Sequence, residues 1–123
     1  MAKLSRDKGK VFERKIATRY RAAFPSLAEE VRRSDQGHGA DDSDVTGMPR
    51  IWTECRSGIE PLPLKKLKQA VEDSRREPDR IPIAVTHTIR SRTIYATLRL
   101  ADLDKMAASA VGEEALSLDL PGS

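Results

Sequence analysis

The sequence is poor in the residue types that build disulfides, zinc sites and aromatic cores. Cys55 is its one cysteine, so no disulfide can form within the chain, and with only His38 and His87 besides, a Cys/His zinc site cannot be assembled. Any bound metal must therefore be held by oxygen ligands. Aromatic residues make up 4% of the chain, which leaves the core mostly to Leu, Ile, Val and Ala. A core with so few large aromatic side chains would suit an oligomer.

Long apolar runs are also missing. No segment approaches the roughly eighteen apolar residues needed to span a bilayer, and the opening MAKLSRDKGK is charged, unlike a signal peptide. We expect a protein with no membrane partner in the cytoplasm of a bacterial, archaeal or phage-infected cell. A chain of 123 residues suits one domain. We predict a single domain over residues 1–111 and an acidic, flexible tail over 112–123.

Positive charge is concentrated at the start of the chain. Residues 1–21 contain eight basic and two acidic residues, a net charge of +6, whereas the whole chain carries only +3. Such asymmetry creates a local positive field that attracts phosphate backbones, although charge runs are also common on solvated helix faces. Composition alone thus favours nucleic acid as the partner.

Periodicity and turn residues predict eight elements in the order α-β-β-β-α-β-β-α. The first helix, capped by Ser5 or Asp7, runs to about Phe24, where Pro25 stops it. The remaining elements are strands at 29–34, 44–46 and 51–56, a helix within 61–79, strands within 81–86 and 92–100, and a helix over 100–110. Residues 35–43 are too polar and Gly-rich for anything but a loop.

Glu13 occupies an anomalous position on the first helix. A spacing of 100° per residue places six apolar side chains on one arc, namely Phe12, Ile16, Ala17, Tyr20, Ala23 and Phe24. Glu13 falls inside this arc, where a lone carboxylate costs several kcal/mol unless it finds a cation or hydrogen-bond donors. We therefore expect Glu13 to have a partner, and a metal site is one candidate.

A second acidic pair follows from the predicted hairpin. In IWTECR, alternation puts Trp52, Glu54 and Arg56 on one face of the strand. If the turn is centred on Pro49, Asp44 lies directly across from Glu54, with Cβ atoms about 5 Å apart. Two facing carboxylates repel unless a divalent cation lies between them, and all-oxygen ligands suit Mg²⁺ or Mn²⁺.

Two other interpretations of this segment remain open at this level. Asp41 and Asp42 compete with Asp44 for the same role, although only Asp44 lies symmetrically opposite Glu54. Alternatively, Asp44 only opens a turn and Glu54 is an exposed strand residue that pairs with Arg56 at the surface. His38 is expected to be a polar loop residue, and His87 and Cys55 packing or strand-end residues.

Together, SDVTGMPRIWTECR and the preceding KGKVFERK resemble the PD-(D/E)XK nuclease superfamily, and most closely the archaeal and phage Holliday-junction resolvases. The resemblance covers about Lys8 to Thr86. It implies an α/β fold with a restriction-endonuclease-like core, in which helices flank a central mixed β-sheet in α-β-β-β-α-β order. It also implies catalytic roles for Glu13, Asp44, Glu54 and Arg56.

The resemblance further implies a cofactor and a substrate. Mg²⁺, with Mn²⁺ as a substitute, would be bound by Asp44, Glu54, the backbone carbonyl of Cys55 and, through water, Glu13. The substrate would be branched DNA, such as a four-way junction, cut by a homodimer to leave 5′-phosphate ends. Ser34 and Gln69 match further positions of the family pattern. The predicted DNA contacts are Lys8, Lys10, Arg14, Arg33, Ser34, Lys65, Lys66 and Gln69.

Two positions depart from the pattern: Ser43 replaces a proline and Arg56 replaces the motif lysine. Arginine stays protonated and cannot act as a base, so Arg56 would stabilise developing negative charge, or the metal alone would activate water while Arg56 holds the phosphate. Weaker activity is expected. The alternatives are a restriction-like or repair nuclease acting on other DNA, and a DNA-binding module without catalysis.

Overall fold

The computed structural model describes residues 2–33 and 43–117, with side chains for 9–33 and 43–111. Eight elements follow one another in the predicted order: α1 (Ala2–Ala23), β1 (Arg32–Arg33), β2 (Val45–Thr46), β3 (Ile51–Gly58), α2 (Pro63–Asp73), β4 (Ile81–Thr88), β5 (Ile94–Thr97) and α3 (Leu100–Ser117). Short 3₁₀ turns follow α1 and α2, at Pro25–Leu27 and Ser74–Arg76. The predicted order of helices and strands is confirmed.

Several boundaries differ from those predicted. Helix α1 begins at Ala2, so neither Ser5 nor Asp7 caps it. The first strand, predicted at 29–34, spans only Arg32–Arg33, and the last, predicted within 92–100, spans only Ile94–Thr97. Strand length depends on the available pairing partners and not on composition alone. Helix α3 continues to Ser117, beyond the domain boundary predicted at residue 111.

The five strands form one mixed sheet in the order β1-β2-β3-β4-β5. Strands β3 and β4 are parallel and paired along their full length, while the other three pairings are antiparallel. A parallel pair needs a crossover, and α2 provides it. The chain is thus an α/β protein with a five-stranded mixed sheet flanked by helices, as predicted at this level.

Helices α1 and α2 cover opposite faces of the sheet, which is why β3 is buried on both sides. On one face Phe12, Ile16 and Ala17 of α1 pack in a core cluster with Cys55 and Val85. On the other face, Leu67 and Ala70 of α2 are buried, and α2 contacts β3 and β4.

Three apolar residues at helix ends are exposed: Ala23 and Phe24, both predicted on the inward arc of the first helix, and Leu64 of α2. Phe24 is 44% exposed because the helix ends at Ala23, which takes Phe24 off the helical face and leaves its ring edge-on to Tyr20 at 6.3 Å. Leu64 is 70% exposed because it lies one turn before Leu67, where α2 makes its buried contact.

The turn between β2 and β3 depends on a glycine. Gly47 has a φ of +89°, and a Cβ there would overlap the backbone carbonyl of Glu30. Glycine alone fits this backbone conformation and close approach without strain. The turn therefore holds β2 in place beside β3. Among the described helices, none is both long and apolar enough to cross a membrane.

Candidate active site

Asp44 lies immediately before β2 and is fixed against β3. Val45 pairs with Thr53, so the hairpin is centred on residue 49 and Asp44 lies beside Glu54, as the sequence predicts. Its backbone N–H donates to the Thr53 carbonyl at 2.9 Å, and its Oδ2 accepts a 2.8 Å hydrogen bond from the Cys55 N–H. Both the backbone and the side chain of Asp44 are therefore hydrogen-bonded to the strand that carries Glu54.

Ser43, next to Asp44, has a structural role. Its side chain is fully buried, and its hydroxyl donates to the Val45 carbonyl at 3.0 Å and accepts from Arg80 at 3.4 Å. These bonds stabilise the bend that leads into β2. The hydroxyl thus orders the backbone next to Asp44 by hydrogen bonding.

Glu54 is buried in the middle of β3, with an exposure of 2%. The indole N–H of Trp52, two residues earlier on the same strand face, donates to Glu54 Oε1 at 2.9 Å. Trp52 is itself held by two guanidinium groups, from Arg80 at 4.9 Å and Arg76 at 5.6 Å from its ring centre. Burial excludes the alternative in which Glu54 is an exposed surface residue paired with Arg56.

Glu13 has the partner that its position on an apolar arc requires. The partner in this structure is Arg33 of β1, whose Nε lies 3.6 Å from Glu13 Oε2. Arg33, predicted as a DNA contact, thus faces an acid of the site, and both side chains are largely buried. The ion pair offsets part of the cost of burying the Glu13 carboxylate.

Burial and mutual repulsion raise the pKa of two acids in the site. The pKa of Glu54 rises to about 8, mainly because the side chain is buried, and further because of the charge of Asp44 and a hydrogen bond with it. The pKa of Glu13 rises to about 7, again by burial first and then by the charge of Asp44. Asp44 is therefore the acid whose charge acts on both Glu13 and Glu54.

Lys66 of α2 brings a positive charge into this acidic cluster. Its Nζ lies 4.0 Å from Asp44 Oδ2, and both side chains are 14% exposed. Its charge lowers the pKa values of both Glu13 and Glu54. Arg56, by contrast, is exposed, and its side chain forms no hydrogen bond or ion pair with the part of the chain that the structure describes.

Cys55 connects the site with the core behind it. As expected, its side chain is buried, where it packs with Phe12 and Ile16. Burial raises the pKa of its thiol, and the neighbouring acids raise it further. The thiol is therefore uncharged at neutral pH, and a packing role fits it better than a role as a nucleophile.

The donor chemistry fits a divalent cation held by two carboxylates. Asp44 and Glu54 lie side by side, and the charge of Asp44 raises the pKa of Glu54, an effect that a bound cation would oppose. Mg²⁺ is typically held by one or two carboxylates together with waters and substrate phosphates. Among residues 9–33 and 43–111, no group of three or more His, Cys, Asp or Glu side chains is arranged to hold a metal ion.

Comparisons with known proteins give no relative. The chain matches no protein-family model, no curated protein and no solved structure. The geometry of the site therefore carries the functional argument.

The predicted DNA contacts fall into three groups. Lys10, Arg14, Lys65 and Gln69 are exposed on α1 and α2. Arg33 and Lys66 instead contact acids of the site. The side chain of Lys8 and all of Ser34 lie outside the described residues, as do His38, Asp41 and Asp42.

Three contacts of the site were not anticipated from sequence: Trp52 with Glu54, Arg33 with Glu13, and Lys66 with Asp44. The first carried a signal, because residues two apart on a strand share a face and a buried indole N–H needs an acceptor. The other two join residues from different elements, and no local pattern identifies such pairs.

Proposed function

We propose that this protein is a Mg²⁺-dependent DNA endonuclease that hydrolyses phosphodiester bonds in branched DNA, in the manner of a Holliday-junction resolvase. The observation that carries the proposal is the electrostatic coupling of Asp44, just before β2, to Glu13 of α1 and Glu54 of β3. The charge of Asp44 adds to burial in raising the pKa of both Glu13 and Glu54, and Lys66 lies 4.0 Å from Asp44. Perturbed acids clustered in this way are typical of functional sites.

The arrangement of elements supports the same proposal. The first helix, the residue just before the hairpin strand β2, and the strand β3 supply one acid each, and a basic crossover helix follows. The resemblance to the PD-(D/E)XK superfamily assigns the acids to this order of elements. We therefore propose that the observed α/β fold contains a restriction-endonuclease-like core.

Asp44 and Glu54 would hold the Mg²⁺ ion, with the Cys55 carbonyl as a further ligand and Glu13 acting through water. The ion would supply activation of water and stabilisation of negative charge on the phosphate. Trp52 fixes one oxygen of Glu54 and the Cys55 N–H fixes one oxygen of Asp44. Each of these bonds engages one carboxylate oxygen, so the second oxygen of each acid would be the one to ligate the ion.

Exposed basic residues on α1 and α2 would hold the DNA backbone beside these acids. Lys10 and Arg14 on α1 and Lys65 on α2 are exposed to solvent. A homodimer would present two such sites, as two symmetric cuts in a four-way junction require. Sedimentation equilibrium with and without a junction tests this stoichiometry.

The decisive experiment is cleavage of end-labelled DNA in Mg²⁺ or Mn²⁺. We expect four-way junctions to be cut with 5′-phosphate ends, and the Glu54→Gln variant, which keeps shape and burial, to bind but not cut. Flaps, splayed arms and linear duplex are compared in parallel. Preference for one of those would favour a repair or restriction-like nuclease. Binding of every substrate without any cleavage would favour a DNA-binding module and defeat the proposal.

A further inference from the structure

Lys66 is placed unlike the lysines beside it on α2. Its side chain is 14% exposed and its Nζ lies 4.0 Å from Asp44 Oδ2, whereas Lys65 and Lys68 are exposed. Its backbone N–H donates to the Leu62 carbonyl at 3.0 Å, so the residue is fixed on the first turns of the helix. The packing of α2 on the sheet thus directs one lysine of three toward the acids.

A second contact orients the same ammonium. Nζ of Lys66 donates to Oε1 of Gln69, one helical turn later, at 3.3 Å. Asp44 and Gln69 are the side chains with which its ammonium forms an ion pair or hydrogen bond within the described part of the chain. An ammonium has three N–H donors, so this geometry leaves donor capacity for a group bound next to Asp44.

The position of Lys66 contrasts with that of Arg56. The Lys66 ammonium lies against Asp44 and is largely buried. The Arg56 side chain is exposed and forms no hydrogen bond or ion pair within residues 9–33 and 43–111.

We infer that Lys66, and not Arg56, is the catalytic cation of this site: its ammonium contacts the scissile phosphate beside Asp44 and Glu54. The inference rests on the proposed endonuclease function. It identifies Lys66 as the substitute for the motif lysine, whose position on the strand Arg56 occupies. A lysine from the crossover helix thereby occupies the place that the resemblance assigns to residue 56 on the strand.

The chemistry requires only the charge of Lys66. Oxygen of a water molecule bonds to phosphorus while the bond from phosphorus to the 3′ oxygen breaks. That oxygen takes up the proton released by the water, which gives a 3′-hydroxyl and a 5′-phosphate. The ammonium takes no part in the proton transfer and stabilises the charge that builds on the non-bridging oxygens, for which fixed positive groups are well suited.

The test compares single-turnover cleavage of a four-way junction by Lys66→Ala, Lys66→Arg and Arg56→Ala, with Lys65→Ala and Lys68→Ala as matched surface controls. We expect Lys66→Ala to slow cleavage at least about 100-fold, with junction binding in Ca²⁺ little changed. Lys66→Arg should recover part of the rate because it retains a cation. The two controls and Arg56→Ala should act mainly through binding.

Metal affinity gives a readout that is independent of cleavage. Removing a cation next to Asp44 should tighten Mn²⁺ binding by about threefold or more, because the ammonium and the metal ion repel each other. A purely structural role, in which Lys66 holds Asp44 in position, would instead weaken Mn²⁺ binding. If the alanine variant fails to fold, Lys66→Met keeps the packing of the stem and replaces it in every assay.

The outcomes separate this inference from the function on which it rests. Active wild-type protein with a Lys66 variant that cleaves within about threefold of it overturns the assignment alone. Equal losses in all three lysine variants also overturn it, because they indicate general attraction of DNA. Wild-type protein that binds junctions and never cuts overturns the proposed function and this assignment together.

Discussion

The indole N–H of Trp52 donates a 2.9 Å hydrogen bond to Oε1 of Glu54 within a fully buried part of β3. This bond is among the influences that keep the pKa of Glu54 from rising further. Trp52 is therefore a positioning residue for the carboxylate rather than only a core residue.

Trp52→Phe should shift the pH dependence of cleavage toward alkaline values. Loss of the donor raises the pKa of Glu54 above about 8, so a higher pH is needed to ionise it. Loss of one buried hydrogen bond should also cost about 1–2 kcal/mol of stability. Cleavage rates across pH, together with urea denaturation, measure both effects.

Tyr20→Phe is the matched control for that variant. It removes a bond of similar kind, between the Tyr20 hydroxyl and Thr53 Oγ1 at 3.0 Å, from the opposite face of β3. We expect a comparable loss of stability and an unshifted pH profile. The same shift in both variants would assign the effect of Trp52 to general destabilisation.

The metal-free protein should become less stable as pH rises from about 5 to 8. Carboxyl groups in the unfolded chain ionise near 4.5, whereas Glu13 and Glu54 have pKa values of about 7 and 8 when folded. The folded state therefore binds more protons in this window, and the free energy of unfolding falls as they are lost. Urea denaturation in EDTA at several pH values measures this slope.

Glu54→Gln should flatten that slope, because the amide is neutral at every pH. At pH 8 we expect the variant to exceed the wild type in stability by about 1 kcal/mol or more. Glu60→Gln, at an exposed position, serves as the control and should leave the slope as it is. Equal slopes in wild type and Glu54→Gln would mean that Glu54 ionises normally.

Mn²⁺ should bind more tightly at pH 8 than at pH 6 and should release protons as it binds. The cause is that Glu54, with a pKa of about 8, must ionise before its carboxylate can ligate the ion. Calorimetric titrations in buffers of different ionisation enthalpy count the protons released. Affinity that does not change with pH would place the ion away from Glu54.

Gly47→Ala should destabilise the protein severely, by about 3 kcal/mol or more, since both a positive φ and a steric overlap oppose the change. The added methyl group would meet the backbone carbonyl of Glu30. Gly9→Ala, in the interior of α1 where a Cβ meets nothing within 4 Å, should stabilise by about 0.5–1 kcal/mol. Thermal denaturation compares the two, and equal behaviour would contradict the turn geometry.

The double variant Lys10→Ala/Arg14→Ala should weaken DNA binding and reduce its salt dependence. Each lost phosphate contact lowers the slope of log K against log salt by about 1. Lys105→Ala removes an exposed lysine from α3 and should leave the slope unchanged. Fluorescence anisotropy over a range of salt concentrations makes the comparison.

Part of the site was predictable because it depends on local geometry. Residues 44 and 54 are equidistant from the hairpin centre at residue 49, which predicts that they lie opposite each other. The observed pairing of Val45 with Thr53 confirms this register. The need of Glu13 for a partner followed from a carboxylate on an apolar arc. The identity of that partner, Arg33, did not follow, because β1 reaches α1 only through the assembled sheet.

The sequence by itself determined the order of helices and strands, the hairpin register and the pair of acids on it, since hydrophobic periodicity and turn residues act over a few neighbouring positions. Tertiary structure decided which cations meet those acids. Lys65, Lys66 and Lys68 lie close together on one predicted helix, and the packing of α2 across β3 and β4 turns Lys66 toward Asp44. Arg56, on the strand, is left exposed. Such a choice depends on the relative orientation of distant elements, which local periodicity does not encode.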